Sequence, residues 1–116
     1  MKISVRESGH VSILDVEGRM TVEATRELCL ADCVRDILRK GGRYVLLNLE
    51  HVASIDSTGV RDIVEAYVTS TRQGAELKLL SLPAKVRNVL TITRLLTILE
   101  AYDAEPAAIA SFGWSR

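Results

Sequence analysis

The chain has 116 residues, enough for one domain with a modest core and too few for two. Its 15 Lys and Arg balance 15 Asp and Glu, which argues against nucleic acid as the main partner, because a phosphate-binding surface normally carries a basic excess. Apolar residues make up 47%, an ordinary globular fraction, and no apolar run approaches the roughly 20 residues that span a membrane.

The N-terminus, Met1-Lys2-Ile3-Ser4-Val5, lacks the apolar centre of a secretory leader, so the cytoplasm is the expected compartment. Two alternating segments open the chain. Lys2 to Glu7 sets Ile3 and Val5 on one face, Val11 to Glu17 forms the second strand, and Gly9 suits the tight connection of a hairpin. Gly18-Arg19-Met20-Thr21 then reads as a turn into a helix, with Thr21 as N-cap and Glu23 and Glu27 placing negative charge near its start. From Val22 to Lys40 the stripe Ala24, Leu28, Ala31, Val34, Leu38 predicts an amphipathic helix, closed by Gly41-Gly42.

Cys29 and Cys33 lie four apart on this helix. That spacing makes them neighbours without implying a disulfide, and two thiolates with no completing His or Asp pattern make no metal site, so free thiols packed on a helix face are expected. Asp32 and Asp36 beside Arg35 and Arg39 read as a solvated face of mixed charge.

Tyr44 to Leu49 is almost wholly apolar and predicts a central strand covered on both faces. A connector leads to a second helix from about Thr58 to Gln73, with Val60, Ile63, Val64, Tyr67, Val68 and Thr71 as its apolar stripe and Gly74 as its stop. Glu76 to Leu80 is the next strand, with Leu77 and Leu79 on one side. Pro83 opens a third helix that turns Leu82, Val86, Val89 and Leu90 inward. Leu96 to Tyr102 reads as a last short strand and Glu105 to Phe112 as a last helix, with Pro106 near its start and Phe112 and Trp114 tethering the tail. The order β-β-α-β-α-β-α-β-α predicts a single α/β domain over residues 1–116, with a mixed, mostly parallel sheet of four to five strands and about four helices.

The segment richest in chemistry runs from His51 to Val60, between the most apolar strand and a strong helix. In a parallel sheet this is the C-terminal edge, where binding sites gather. Asp56-Ser57-Thr58-Gly59 falls at the helix N-terminus, where one side chain can cap the free N–H groups. A phosphate on Ser57 would also sit favourably there, near those N–H groups and the positive end of the helix dipole, and would change the charge of a docking surface without disturbing the fold. Both readings stand on the residues alone.

Catalysis finds little support. His10 and His51 are the only histidines, Asp56 is too near His51 in sequence to establish a dyad, and no G-x-S-x-G, G-x-G-x-x-G or Walker pattern occurs. Arg43, Lys78, Lys85 and Arg87 are scattered basic residues and form no stripe. No enzyme activity, cofactor or metal is expected.

Taken together, the paired opening strands, the Gly18–Thr21 turn, the Val45-Leu46-Leu47-Asn48-Leu49 strand, Ile55-Asp56-Ser57-Thr58-Gly59-Val60 and Leu82-Pro83-Ala84-Lys85-Val86-Arg87-Asn88-Val89-Leu90 resemble a STAS domain of the bacterial anti-sigma factor antagonist type. The resemblance spans nearly the whole chain. It implies a cytoplasmic partner-switching protein, a monomer or weak dimer, which binds an anti-sigma factor with serine kinase activity, is phosphorylated on Ser57 and is restored by a serine phosphatase. Asp56, Ser57, Thr58, Gly59, Arg61, Arg19 and Thr21 would form the partner-binding surface, with Asp56 shaping the loop, Thr58 starting or capping the helix and Gly59 permitting close approach. Direct contact with nucleic acid or membrane is not implied. The alternatives are a STAS scaffold or sensor in a larger regulatory assembly, and a small-ligand or nucleotide-binding STAS domain. Two positions depart from the family pattern: Arg61 stands where a small glycine-bearing step is common, and Thr21 where an acidic residue is common.

Overall fold

The apolar run beginning at Tyr44 is the axis of the molecule. In the computed structural model, which describes residues 1–22 and 29–112, it becomes the middle strand of a five-stranded sheet. The strands are β1 (Lys2–Ser8), β2 (Val11–Met20), β3 (Tyr44–Ile55), β4 (Glu76–Leu80) and β5 (Ala101–Tyr102), side by side in that order. β1 and β2 are antiparallel, and every later neighbour is parallel. α1 (Leu30–Arg39), α2 (Ser57–Arg72) and α3 (Ala84–Ile92) fill the crossovers, and α4 (Glu105–Ala110) follows β5. The mixed, mostly parallel α/β sheet expected from the sequence is therefore present.

Strand alternation sorts the side chains into two layers. Leu14, Val16, Val45, Leu47, Leu49, Leu77 and Leu79 point toward the three crossover helices, which contribute Leu30, Val34, Leu38, Ile63, Val86 and Leu90 to one core. On the other face Val11, Ile13, Leu46 and Leu80 are covered by Ala108 and Phe112. α4 has six residues, too short to persist alone, so it is held by what it covers. Burying Phe112 supplies about 2–3 kcal/mol of that. Two polar fixings add direction. Arg6 joins Asp15 at 2.6 Å and Glu105 at 2.7 Å. Lys78, buried, donates to the Ser111 carbonyl at 3.0 Å with its ammonium 4.9 Å from the Phe112 ring centre.

Several boundaries differ from those the sequence suggests. Gly18-Arg19-Met20 is strand and not turn: β2 continues to Met20, with Gly18 at a φ of +94° absorbing an irregular register beside β3. β3 continues past Leu49 to Ile55. Asp15 pairs with Asn48 but Glu17 with His51, so β3 carries an extra residue there, and Glu50 and His51 both face solvent before Val52 turns inward again. This bulge breaks the period that a sequence reading follows. The connector into α2 thus shrinks to Asp56 alone.

Among the described residues α1 begins at Leu30, with Cys29 at its N-cap, and the cap role expected of Thr21 falls on a helix start within residues 23–28, outside the described residues. The proposed helical residues 23–28, including Glu23, Ala24, Glu27 and Leu28, lie outside the described residues, as does Trp114. The inward face of α2 is Gly59, Asp62, Ile63, Ala66 and Ser70, rotated from the predicted valine stripe. Leu95–Thr97 is a single 3-10 turn, which leaves two residues for β5, and α4 stops at Ala110, short of Phe112. Of the scattered basic residues, Lys78 is buried.

Candidate functional site

The parallel strands β2 and β3 end together, and the chain leaves β3 directly into α2. The Asp56 amide donates to the Met20 carbonyl at 3.2 Å, which fastens the head of α2 to the end of β2. This brings Arg19 and Thr21 to the same edge as Asp56, Ser57, Thr58, Gly59 and Arg61, so the seven residues singled out from the sequence converge on one edge of the sheet.

Asp56 does the capping. Its Oδ1 accepts the N–H groups of Thr58 at 2.9 Å and Gly59 at 3.2 Å, and its Oδ2 accepts the Val22 N–H at 3.1 Å. Thr58 therefore donates to the cap and is not the cap itself. Loss of water is the largest single influence on the Asp56 carboxyl and pushes its pKa upward. The N–H groups of Val22, Gly59, Thr58 and Asp56 itself together outweigh that and hold it below its ordinary value. Asp56 is thus an anion at neutral pH.

Gly59 is required by space. A β-carbon there would lie 2.2 Å from the Met20 carbonyl oxygen and 2.8 Å from the Ile55 side chain. The close approach that glycine permits is to β2 within this chain. Because Gly59 faces inward, Ser57, two positions earlier on the helix, faces out. Ser57 is exposed on the first turn of α2, and nothing among the described residues bonds its hydroxyl. Arg61, also exposed, stands one turn further along without an ion-pair partner among the described residues. Arg19 is exposed and Thr21 half-buried.

One residue of this region escapes a sequence reading. Asp62 is 4% exposed, and its carboxylate accepts the N–H groups of Leu30 at 2.7 Å and Ala31 at 3.0 Å, together with the Cys29 thiol at 3.0 Å. It is the N-terminal cap of α1, supplied from another helix. The signal was its position: three residues after Gly59 and four before Ala66, on the side of α2 that must face inward. Both cysteines are free and half-buried. Burial, then the Asp62 contact, raises the Cys29 thiol, and burial, then the Asp32 charge, raises that of Cys33, so neither is poised as a thiolate nucleophile. His51 projects from β3 as an exposed strand residue, 3.9 Å from Glu50.

No group of three or more His, Cys, Asp or Glu among the described residues could hold a metal ion, and no helix among them is long and apolar enough to cross a membrane.

Comparison with known proteins agrees with this architecture. A candidate anti-sigma factor antagonist from Thermotoga maritima superposes with a TM-score of 0.84 at 28% identity, over 93% of this chain and 92% of that one. The anti-sigma factor antagonist SpoIIAA, solved in its unphosphorylated form, shares the fold with a TM-score of 0.70 at 14% identity over 94% of each chain. The murine anion transporter Solute Carrier 26 family member A9 contains the same fold, with a TM-score of 0.69 at 14% identity over 90% of this chain but 18% of the transporter. No curated protein sequence matches the chain significantly. The STAS domain profile matches residues 2–108, from the first strand into the last helix, and by that match the chain belongs to the STAS domain family.

Proposed function

We propose that this chain is an anti-sigma factor antagonist, a binding protein without catalytic activity of its own, which docks an anti-sigma factor through the edge formed by Arg19, Thr21, Asp56, Ser57, Thr58, Gly59 and Arg61. Ser57 is the residue its partner phosphorylates, and a serine phosphatase reverses the modification in the cytoplasm. The protein works as a monomer or weak dimer. The observation that carries this reading is the division of labour at the head of α2. Asp56 satisfies the helix N–H groups, so the Ser57 hydroxyl is left exposed and unused by the fold. A serine needed as a cap would cost stability when modified, whereas this one is available to a kinase. The dianion formed would sit beside the Asp56 carboxylate on the docking edge, and a partner that accommodates one negative charge there would meet about three.

The test is a pull-down from the source cell with wild-type, Ser57→Ala and Ser57→Asp proteins, each first shown to be folded by circular dichroism, and a parallel incubation with ATP. An ATP-binding partner retained by the alanine variant and lost by the aspartate variant is expected, with phosphate incorporated into wild type and not into Ser57→Ala. Partner capture that is indifferent to both substitutions would sink the switch and leave a scaffold role.

A further inference from the structure

α2 grips the structure on both sides of residues 23–28. On one side the Asp56 Oδ2 holds the Val22 N–H at 3.1 Å. On the other, one and a half turns along the same helix, the buried Asp62 holds the N–H groups of Leu30 and Ala31 at 2.7 and 3.0 Å. The two carboxylates differ in their surroundings. Asp62 lies 4% exposed between α1 and α2, with three donors converging on two oxygens. Asp56 is half-buried, among the described residues is bonded only to backbone N–H groups, and is the immediate neighbour of Ser57.

A phosphate on Ser57 competes with Asp56 in two ways. It is an acceptor at the same helix N-terminus, able to take the Thr58 and Gly59 N–H groups that Asp56 now holds. It also repels the Asp56 carboxylate at close range, where screening by salt is weakest. Asp62 is shielded from both effects: it lies on the α1 side of the helix, bonded to different donors. Val22 is 53% exposed, so whatever frees its backbone also moves an apolar residue on the docking edge.

We propose that α2 is a clasp with two carboxylate arms of unequal sensitivity: phosphate on Ser57 opens the Asp56–Val22 arm, while the Asp62 arm keeps α1 in place. The state of Ser57 is then displayed at Val22 as well as at the serine, and a partner reads a repositioned apolar residue in addition to the added charge. The inference rests on Ser57 being the modified residue, and it deepens that reading by naming what the modification moves.

Amide hydrogen exchange followed by NMR tests it on the full chain carrying phosphoserine installed at position 57 during synthesis. The Val22 amide is expected to exchange at least tenfold faster than in the unmodified protein, with Leu30 and Ala31 unchanged within twofold. Asp62→Ala, which removes both acceptor oxygens, should give the reverse, loosening Leu30 and Ala31 and sparing Val22. Unaltered Val22 protection in the phosphoprotein overturns the proposal. So does loss of protection at Leu30 and Ala31 together with Val22, or a Val22 amide already unprotected before modification. Because the phosphate is installed without a kinase, failure here is distinct from failure of the phosphorylation reading, which shows as absence of phosphate incorporation from ATP.

Discussion

The Met20 carbonyl oxygen lies directly over Gly59, where a β-carbon would approach it to 2.2 Å. The nearest obstacle is a backbone oxygen, which cannot swing aside as the end of a side chain can. Gly59→Ala gains about 1 kcal/mol of helix propensity but loses about 3 kcal/mol to overpacking. A net destabilisation near 2 kcal/mol is expected, read as a lower urea midpoint with an unchanged slope. A midpoint equal to or above wild type would show that the head of α2 is free to shift.

Asp62→Ala removes the acceptor for two buried N–H groups at the start of α1. Leaving them unsatisfied costs about 3 kcal/mol in total. Asp62→Asn keeps one acceptor oxygen and should lose about half as much. Urea unfolding of the two variants side by side checks the order; equal stability of all three proteins would contradict the cap.

Arg6 sets the acid limb of the stability curve. Its hydrogen bonds hold both Asp15 and Glu105 below their ordinary values of 3.8 and 4.5. A carboxylate whose pKa is depressed by folding contributes stability above its unfolded pKa and loses it as pH falls through the folded one. Stability should therefore decline below about pH 4.5, and Arg6→Met should flatten that decline while lowering stability at pH 7 by about 1 kcal/mol, the pair being partly exposed. Urea midpoints between pH 3 and 7 read both effects. An equal acid slope in the two proteins would remove Arg6 from the account.

Among the described residues no hydrogen bond or ion pair ties Arg61 to the fold. Arg61→Ala should leave stability within about 0.5 kcal/mol of wild type. On the proposed function its effect would belong to docking, where a cation one turn from Ser57, without an ion-pair partner among the described residues, would alter the encounter rate and its salt dependence. Association kinetics at low and high salt are the measurement, and identical salt dependence in both proteins would place Arg61 outside the interface.

Much of this arrangement is legible in the residues. The Tyr44–Leu49 run, the hairpin glycine and the order of strands and helices lead to the sheet that exists, because burial on both faces of β3 leaves a continuous apolar signature. Asp56-Ser57-Thr58-Gly59 stands out as polar chemistry at a strand-to-helix junction. Other features left no local trace. The continuation of β3 beyond Leu49 is hidden by the bulge at Glu50–His51, which sets two exposed residues in a row. The inward face of α2 keeps Ile63 of the expected stripe but is otherwise rotated from it: periodicity favours the bulkier valines, whereas close packing against β2 and α1 selects Gly59, Ala66 and Ser70. The role of Asp62 depends on donors more than thirty positions earlier, which no window along one helix can contain.

The bond from Arg6 to Glu105 spans 99 positions. A nascent chain therefore carries both opening strands long before the residue that completes their charge pairing exists. Until Glu105 and Phe112 have emerged from the ribosome, Val11, Ile13 and Leu46 face outward as a bare apolar strip beside the unpaired edge of β1. That interval is when this chain is most open to association with another unfinished copy.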